Sequence, residues 1–287
     1  MIFSNTPAST GRTSSLGRSS IGGGDSSASR IAQNPTFERF ARAGFVMTGV
    51  VHLIIAYLAL RIAFGGGGTA DQSGAMAQIA AAPGGTVVLW LAVVSFVLLA
   101  LWKLTEAAFG KASKPREASA GKEAFRRGKA VATAVVYGAL ALTAYSFAAG
   151  AGKSSTADSQ SLTAEMMQST AGTALLVIAG VALLGVGAYY VHKGYTKKFL
   201  EDLDTDSTNI RRLGTTGYIA KGAAIGAIGV LLILAVTSSE PDKAAGLDGA
   251  LKTLGAQPYG VVLLVIAALG IAAYGLFSFV QAKHARM

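Results

Sequence analysis

The chain has 287 residues, of which 52% are hydrophobic and only 14% charged, whereas ordinary soluble domains carry about 25% charged residues. Its 25 Lys and Arg outnumber 15 Asp and Glu for a net charge of +10, and it has no cysteine. Most of the backbone must therefore sit away from water, and disulfides, thiolate metal sites, iron–sulfur clusters and thiol catalysis are excluded. Inside lipid every peptide group needs an internal partner, so a spanning chain is either a set of helices or a closed barrel. The apolar runs here are about twenty residues long and do not alternate, which selects helices.

Residues 1–34 are rich in Ser, Gly, Thr and Arg and bury too little apolar surface to offset the entropy of ordering, so they read as a disordered tail. Asn34-Pro35-Thr36-Phe37-Glu38 then reads as a helix start, and an amphipathic lead-in from Phe37 to Arg42 feeds a first span over about 43–64. A glycine run, Gly65–Gly68, ends it, and the next connection carries one charge, Asp71. The second span covers about 86–109, with Trp90 and Trp102 near its two ends as interfacial anchors. A basic connection follows, with Lys111, Lys114, Arg116, Lys122, Arg126 and Arg127. Spans three to six read as about 129–149, 172–192, 216–237 and 256–283, the last broken by Gly270 and Gly275 and ending on Tyr274, Phe277 and Phe279. Tyr189, Tyr274 and Phe277 extend the set of interfacial aromatic anchors.

The tail, the two basic connections and the C-terminus hold 21 of the 25 Lys and Arg; the other connections and helix ends hold Arg61, Lys153, Lys243 and Lys252. The positive-inside rule then predicts a multi-pass protein of the cell membrane with both termini in the cytoplasm. The basic surface points to anionic lipid rather than to nucleic acid as a partner.

A repeat underlies the spans. Gly85, Gly172 and Gly260 open the even-numbered spans at intervals of 87 and 88 residues, and Trp102, Tyr189 and Phe277 follow at the same intervals. Gly44, Gly128 and Gly217 occupy comparable places in the odd-numbered spans. Gly49 and Gly222 each follow five residues later, where the middle unit has Thr133. Two spans per unit return the chain to one side, so the units run parallel and are related by an axis along the membrane normal. The predicted fold is all-α, with six transmembrane helices as three hairpins about a pseudo-threefold axis. The units are 35–112, 113–200 and 201–287. Small residues, with Gly222 and Gly226 as the clearest pair and Gly270 and Gly275 beside them, are expected to mediate packing, because lipid offers helices no hydrophobic drive to associate.

Three groups of residues carry a likeness: Gln257-Pro258-Tyr259-Gly260 with Ala273-Tyr274-Gly275-Leu276; Trp102-Lys103-Leu104-Thr105-Glu106-Ala107; and Tyr189-Tyr190-Val191-His192-Lys193-Gly194 before Lys197-Lys198-Phe199. In their order and spacing the chain resembles the bacterial membrane-protein family called domain of unknown function 1206 over about residues 37–284. The resemblance implies three tandem helix pairs and brings no catalytic residues. The middle unit departs from the pattern, with Ser169-Thr170-Ala171-Gly172 in place of a proline turn, which predicts a less sharp start to the fourth span.

Few side chains in the spans carry chemistry. His52 lies roughly 14 Å into the first span at helical rise, and an ionisable group at that depth is a functional candidate. It suits haem or quinone contact, a proton relay, or simply a hydrogen bond to a backbone carbonyl or tyrosine. Lys221, Lys103 and Glu106 fall near the basic ends of their spans. The expectation for the cations is snorkelling to water, with a Glu106–Lys221 pair inside the bundle as the sharper alternative. Glu201, Asp202, Asp204 and Asp206 lack the glycine and terminal glutamate of a calcium loop and read as a solvated face paired with Arg211 and Arg212. No nucleophile–base constellation, metal cluster or cofactor motif emerges. The sequence therefore predicts a non-enzymatic structural, scaffold or regulatory membrane component. A small transporter or channel, or a haem- or quinone-contacting protein using His52, are the alternatives.

Overall fold

The computed structural model describes residues 35–109, 120–205 and 207–285, with side chains from Arg42 onward in the first helix. The expected tail over 1–34, together with Lys111, Lys114, Arg116, Asp206 and Arg286, lies outside the described residues. So do the side chains of the lead-in from Phe37 to Ala41. Nine α-helices form among the described residues: α1 Pro35–Ala63, α2 Gln72–Ala81, α3 Gly85–Phe109, α4 Ala120–Ala148, α5 Ser155–Met166, α6 Thr170–Tyr195, α7 Thr208–Thr237, α8 Gly246–Gly255 and α9 Gly260–His284. Short 3₁₀ turns stand at Lys198–Asp202 and Pro241–Lys243. Helices α1, α3, α4, α6, α7 and α9 contain the six stretches long and apolar enough to cross a membrane, and the fold is an all-α polytopic membrane bundle. No strand forms among the described residues; Leu203 and Ala285 make an isolated antiparallel bridge.

Each unit contains a third element that the sequence reading took for loop. Between its two spans lies a short helix, α2, α5 or α8. The even-numbered spans start at repeat glycines because the chain doubles back tightly there. A Cβ on Gly85, Gly172 or Gly260 would overlap the carbonyl oxygen of Ile79, Met166 or Gly255 respectively. The middle unit keeps this close turn without proline, contrary to expectation. Ser169 takes the N-cap, its hydroxyl accepting from the Gly172 amide at 3.0 Å.

The units are hairpins in sequence, but their tightest packing is not within the hairpins. The most extensive helix pairs are α3 with α4, α6 with α7, and α9 with α1, each joining the second span of one unit to the first span of the next. The third of these brings the chain's last span against its first. This threefold cycle is the pseudosymmetry of the fold. Packing within units, α1 with α3 and α7 with α9, is lighter, and α4 and α6 scarcely approach each other.

Close backbone approach explains the choice of partners, since without a hydrophobic drive helices associate where small residues let them touch. Half of the best apolar window of α1 and of α9 is buried, against 28% or less in the other spans. These two helices form the centre of the core. Val51, Ile55, Leu58 and Ala59 of α1 meet Leu89, Phe96 and Leu99 of α3 and Leu264, Ala268 and Ile271 of α9. A second cluster of Phe199, Leu203, Tyr218 and Phe277 lies toward the end of the bundle where α1 begins and α9 finishes, called here the basic end.

Candidate functional site

Near the basic end, α6, α7 and α9 converge on Lys221. Its ammonium donates to the Tyr274 hydroxyl at 2.6 Å. It also lies over two ring faces, 4.2 Å from the centroid of Tyr274 and 4.8 Å from that of Tyr190. Aromatic faces attract a cation through the ring quadrupole, and more strongly when water is excluded. No carboxylate among the described residues lies within ion-pair distance of Lys221, so its positive charge is held by tyrosines alone. The helix makes room for this cage: Gly217 of α7 faces the Tyr274 backbone, where a Cβ would sit 2.7 Å from its Cα.

Further rings extend the cage along the bundle. Tyr218 stacks on Tyr190 at 5.9 Å and on Phe199 at 5.1 Å, and meets Phe277 edge-on at 5.5 Å. Lys193 lies over Tyr218 at 5.1 Å and pairs with Asp202 at 3.0 Å. On the other side His52 of α1 meets Tyr274 edge-on at 4.8 Å. Its Nδ1 is 2.7 Å from the Thr48 carbonyl oxygen. A carbonyl only accepts, so Nδ1 carries the hydrogen, and in the neutral ring Nε2 is the acceptor. This is the backbone-satisfied arrangement among those the sequence allowed. His192 and His284 belong to the last turns of α6 and α9, remote in sequence from His52.

Two expectations are corrected here. Glu106 does not pair with Lys221. It binds Lys103 on its own helix at 2.5 Å, one turn away, because an i,i+3 partner is already in reach. Nor does Lys221 snorkel: it is half-buried, and the tyrosine hydroxyl and rings take the place of water. Among the aromatic anchors, Tyr274 and Phe277 point inward. Their exposures are 7% and 0%, because that face of α9 packs on α7, where Tyr218 meets both rings and Gly217 lies against the Tyr274 backbone. Trp90 is exposed and meets Tyr145 edge-on at 5.7 Å. Trp102 packs against the core cluster, and the Tyr189 hydroxyl accepts from Lys129 of α4 at 2.7 Å.

Glycines lie at the α6–α7 and α9–α1 joints and within the third unit. A Cβ on Gly222 would lie 2.6 Å from the Gly187 carbonyl oxygen, and one on Gly187 would lie 2.8 Å from the Gly226 nitrogen. Gly226 itself faces open space. Gly275 faces the Gly49 carbonyl oxygen at 3.1 Å across the α9–α1 contact, and Gly270 faces the Ala220 methyl. Of the acidic cluster, Asp202 pairs with Lys193, while Phe199 and Leu203 beside it are buried. The stretch thus docks on the bundle through its apolar residues, while Glu201 and Asp204 stay exposed on a solvated face.

At the opposite end the three short helices meet in a polar cap that the sequence reading did not anticipate. Asp71 N-caps α2, accepting from the Gly74 amide at 2.9 Å and the Ser73 hydroxyl at 2.6 Å. Thr156 of the second unit donates to Asp71 at 3.2 Å, and the Ser155 amide donates to the Ser73 hydroxyl at 3.1 Å. Asp248 of the third unit accepts from the Ala70 amide at 2.8 Å and from Lys252 at 2.7 Å. Asp71 and Asp248 are 3% and 2% exposed, so each carboxylate depends on these bonds. The one available signal was Asp71 as a lone charge in its connection. No group of three His, Asp or Glu side chains among the described residues is arranged to hold a metal ion.

Three successive segments, residues 43–110, 128–197 and 216–285, match the family described as Domain of Unknown Function (DUF1206). The chain is also similar to the uncharacterized protein YxxB of Bacillus subtilis (strain 168), with 28% identity over 270 residues, covering 90% of this chain and 96% of that one. No solved structure matches it. With six apolar spans, three matched copies and a threefold cycle of packing between them, this chain belongs to the DUF1206 family of tandem-repeat membrane proteins.

Proposed function

We propose that this protein is a non-enzymatic structural or regulatory component of the cell membrane. Both termini and the basic connections lie in the cytoplasm, and the chain is built from units 35–112, 113–200 and 201–287. The reading is carried by the buried cap. Carboxylates from the first and third units, with a hydroxyl and an amide from the second, tie the short helices together at one end. A ring of helices tied in this way, with glycine contacts at its joints, suits a fixed platform better than a moving conduit. The charge bias supports the orientation. A cysteine at the exposed Lys153 should react with an impermeant reagent from outside the cell, and one at the exposed Lys198 only after the membrane is opened; the reverse would invert the topology.

The functional test is flux. Purified protein in liposomes is expected to release potassium, chloride and small dyes no faster than protein-free vesicles. A protein-dependent leak of one of these solutes would contradict the reading. A second reading, a small transporter for an apolar solute, is favoured by the separation of α4 and α6, which breaks the ring on one side.

A further inference from the structure

The separation of α4 and α6 coincides with a feature of α4 that neither the ring nor the tyrosine cage uses. Helix α4 has 29 residues, about 43 Å at helical rise, against a hydrocarbon core of about 30 Å. Its first turns must therefore pass through the headgroup layer at the basic end. There Gly121, Lys122, Phe125, Arg126 and Lys129 line an open groove. Its charge is one-sided. The carboxylate in these turns, Glu123, is taken by both Arg126 at 2.6 Å and Arg127 at 2.9 Å. Lys122 and Lys129 have no carboxylate within ion-pair distance among the described residues. Arg126 Nε is buried with no hydrogen-bond partner.

The groove is also apolar on one side. Phe125 is 69% exposed, and Val136, on the same stripe of the helix as Phe125 and Lys129, is 57% exposed. Lys129 reaches across the seam to Tyr189 of α6, its ammonium donating to the hydroxyl at 2.7 Å and lying 4.8 Å from the ring centroid. Cations at headgroup depth above an apolar stripe are complementary to an amphiphilic anion. A free anion in water would leave Phe125 and Val136 unmatched.

We propose that the basic end of the α4–α6 seam is a binding site for an anionic phospholipid. The phosphate sits in the groove between Lys122, Arg126 and Lys129, and the acyl chains run down α4 past Phe125 and Val136. The lipid fills the side on which the protein ring is incomplete. Each lysine contributes the attraction of one basic residue to an anionic headgroup, a factor of about five in retention.

The test uses the full chain purified in detergent, with retained lipid counted by native mass spectrometry. Phosphatidylglycerol, phosphatidylcholine of the same chains and inorganic phosphate are offered separately. Phosphatidylglycerol should be retained in preference to the other two. Lys122→Gln and Lys129→Gln should each weaken its retention about fivefold, with helical circular dichroism unchanged. Lys198→Gln, also at the basic end but in the 3₁₀ turn after α6, should retain it as the parent does. Equal loss in Lys198→Gln would mean diffuse surface charge and overturn the proposal. Equal retention of phosphatidylcholine would overturn it too, as would displacement of the lipid by equimolar phosphate.

Discussion

Lys221 is the residue on which three helices depend most directly. Its partner hydroxyl on Tyr274 lies 53 positions along the chain, and a hydrogen bond to a charged group is worth about 1.5–3 kcal/mol. Tyr274→Phe keeps the ring but removes the hydroxyl, and is expected to lower the bundle's stability by about 2 kcal/mol in denaturant titration. Lys221→Met should do less harm, because an apolar side chain leaves no unpaired charge behind. If Tyr274→Phe were neutral, the bond between hydroxyl and ammonium would not hold these helices together. The glycines allow a sharper comparison. Gly222→Ala places a methyl against the Gly187 carbonyl and the Val191 backbone at 2.6–2.7 Å, overpacking that should destabilise by about 1–3 kcal/mol. Gly226→Ala, four residues on, points into open space. It should be neutral or stabilising by about 0.5–1 kcal/mol, through the gain in helix propensity. Equal losses at both positions would contradict this geometry. Sequence placed the two glycines on one stripe; it could not tell them apart, since that depends on where the facing helix puts its backbone.

At the scale of elements, the six spans were legible because apolarity is a local property and the repeat supplied three independent views of it. The short helices α2, α5 and α8 were not. Serine, threonine, glycine and alanine dominate two of them, and they are held by bonds that cross between units. The inward rotation of Tyr274 and Phe277 was also hidden. A tyrosine near a helix end reads as an interfacial anchor until the partner helix is known, and here α7 covers that face. The cap yields its own prediction. Asp71→Ala removes the N-cap of α2 and the acceptor of Thr156, and such a cap is worth about 0.5–2 kcal/mol. A cysteine introduced at Ser155, half-buried beside Ser73, should then react with maleimide faster than in the parent. An unchanged rate would mean that the cap does not hold the second unit's short helix.

On the scale of the molecule, the repeat in sequence and the packing in space are offset by one helix. The copied unit is a pair of spans with a short helix between them, yet the tight pairs join one copy to the next. At two of these joints, α6–α7 and α9–α1, Gly187, Gly222, Gly49 and Gly275 let backbones approach. The offset also explains why the chain's ends matter: Arg42, early in α1, donates to the Ala282 and Lys283 carbonyls at the end of α9, both at 2.7 Å. The direct test is whether α1 and α9 touch. The chain has no native cysteine, so His52→Cys with Gly275→Cys gives a pair without background, at positions where a Cβ on Gly275 lies 3.3 Å from the His52 Cβ, close to disulfide range. After oxidation and proteolysis at a site inserted between α3 and α4, the two fragments should stay joined in denaturing gels until reductant is added. Fragments that separate without reductant would show that the last span does not close on the first.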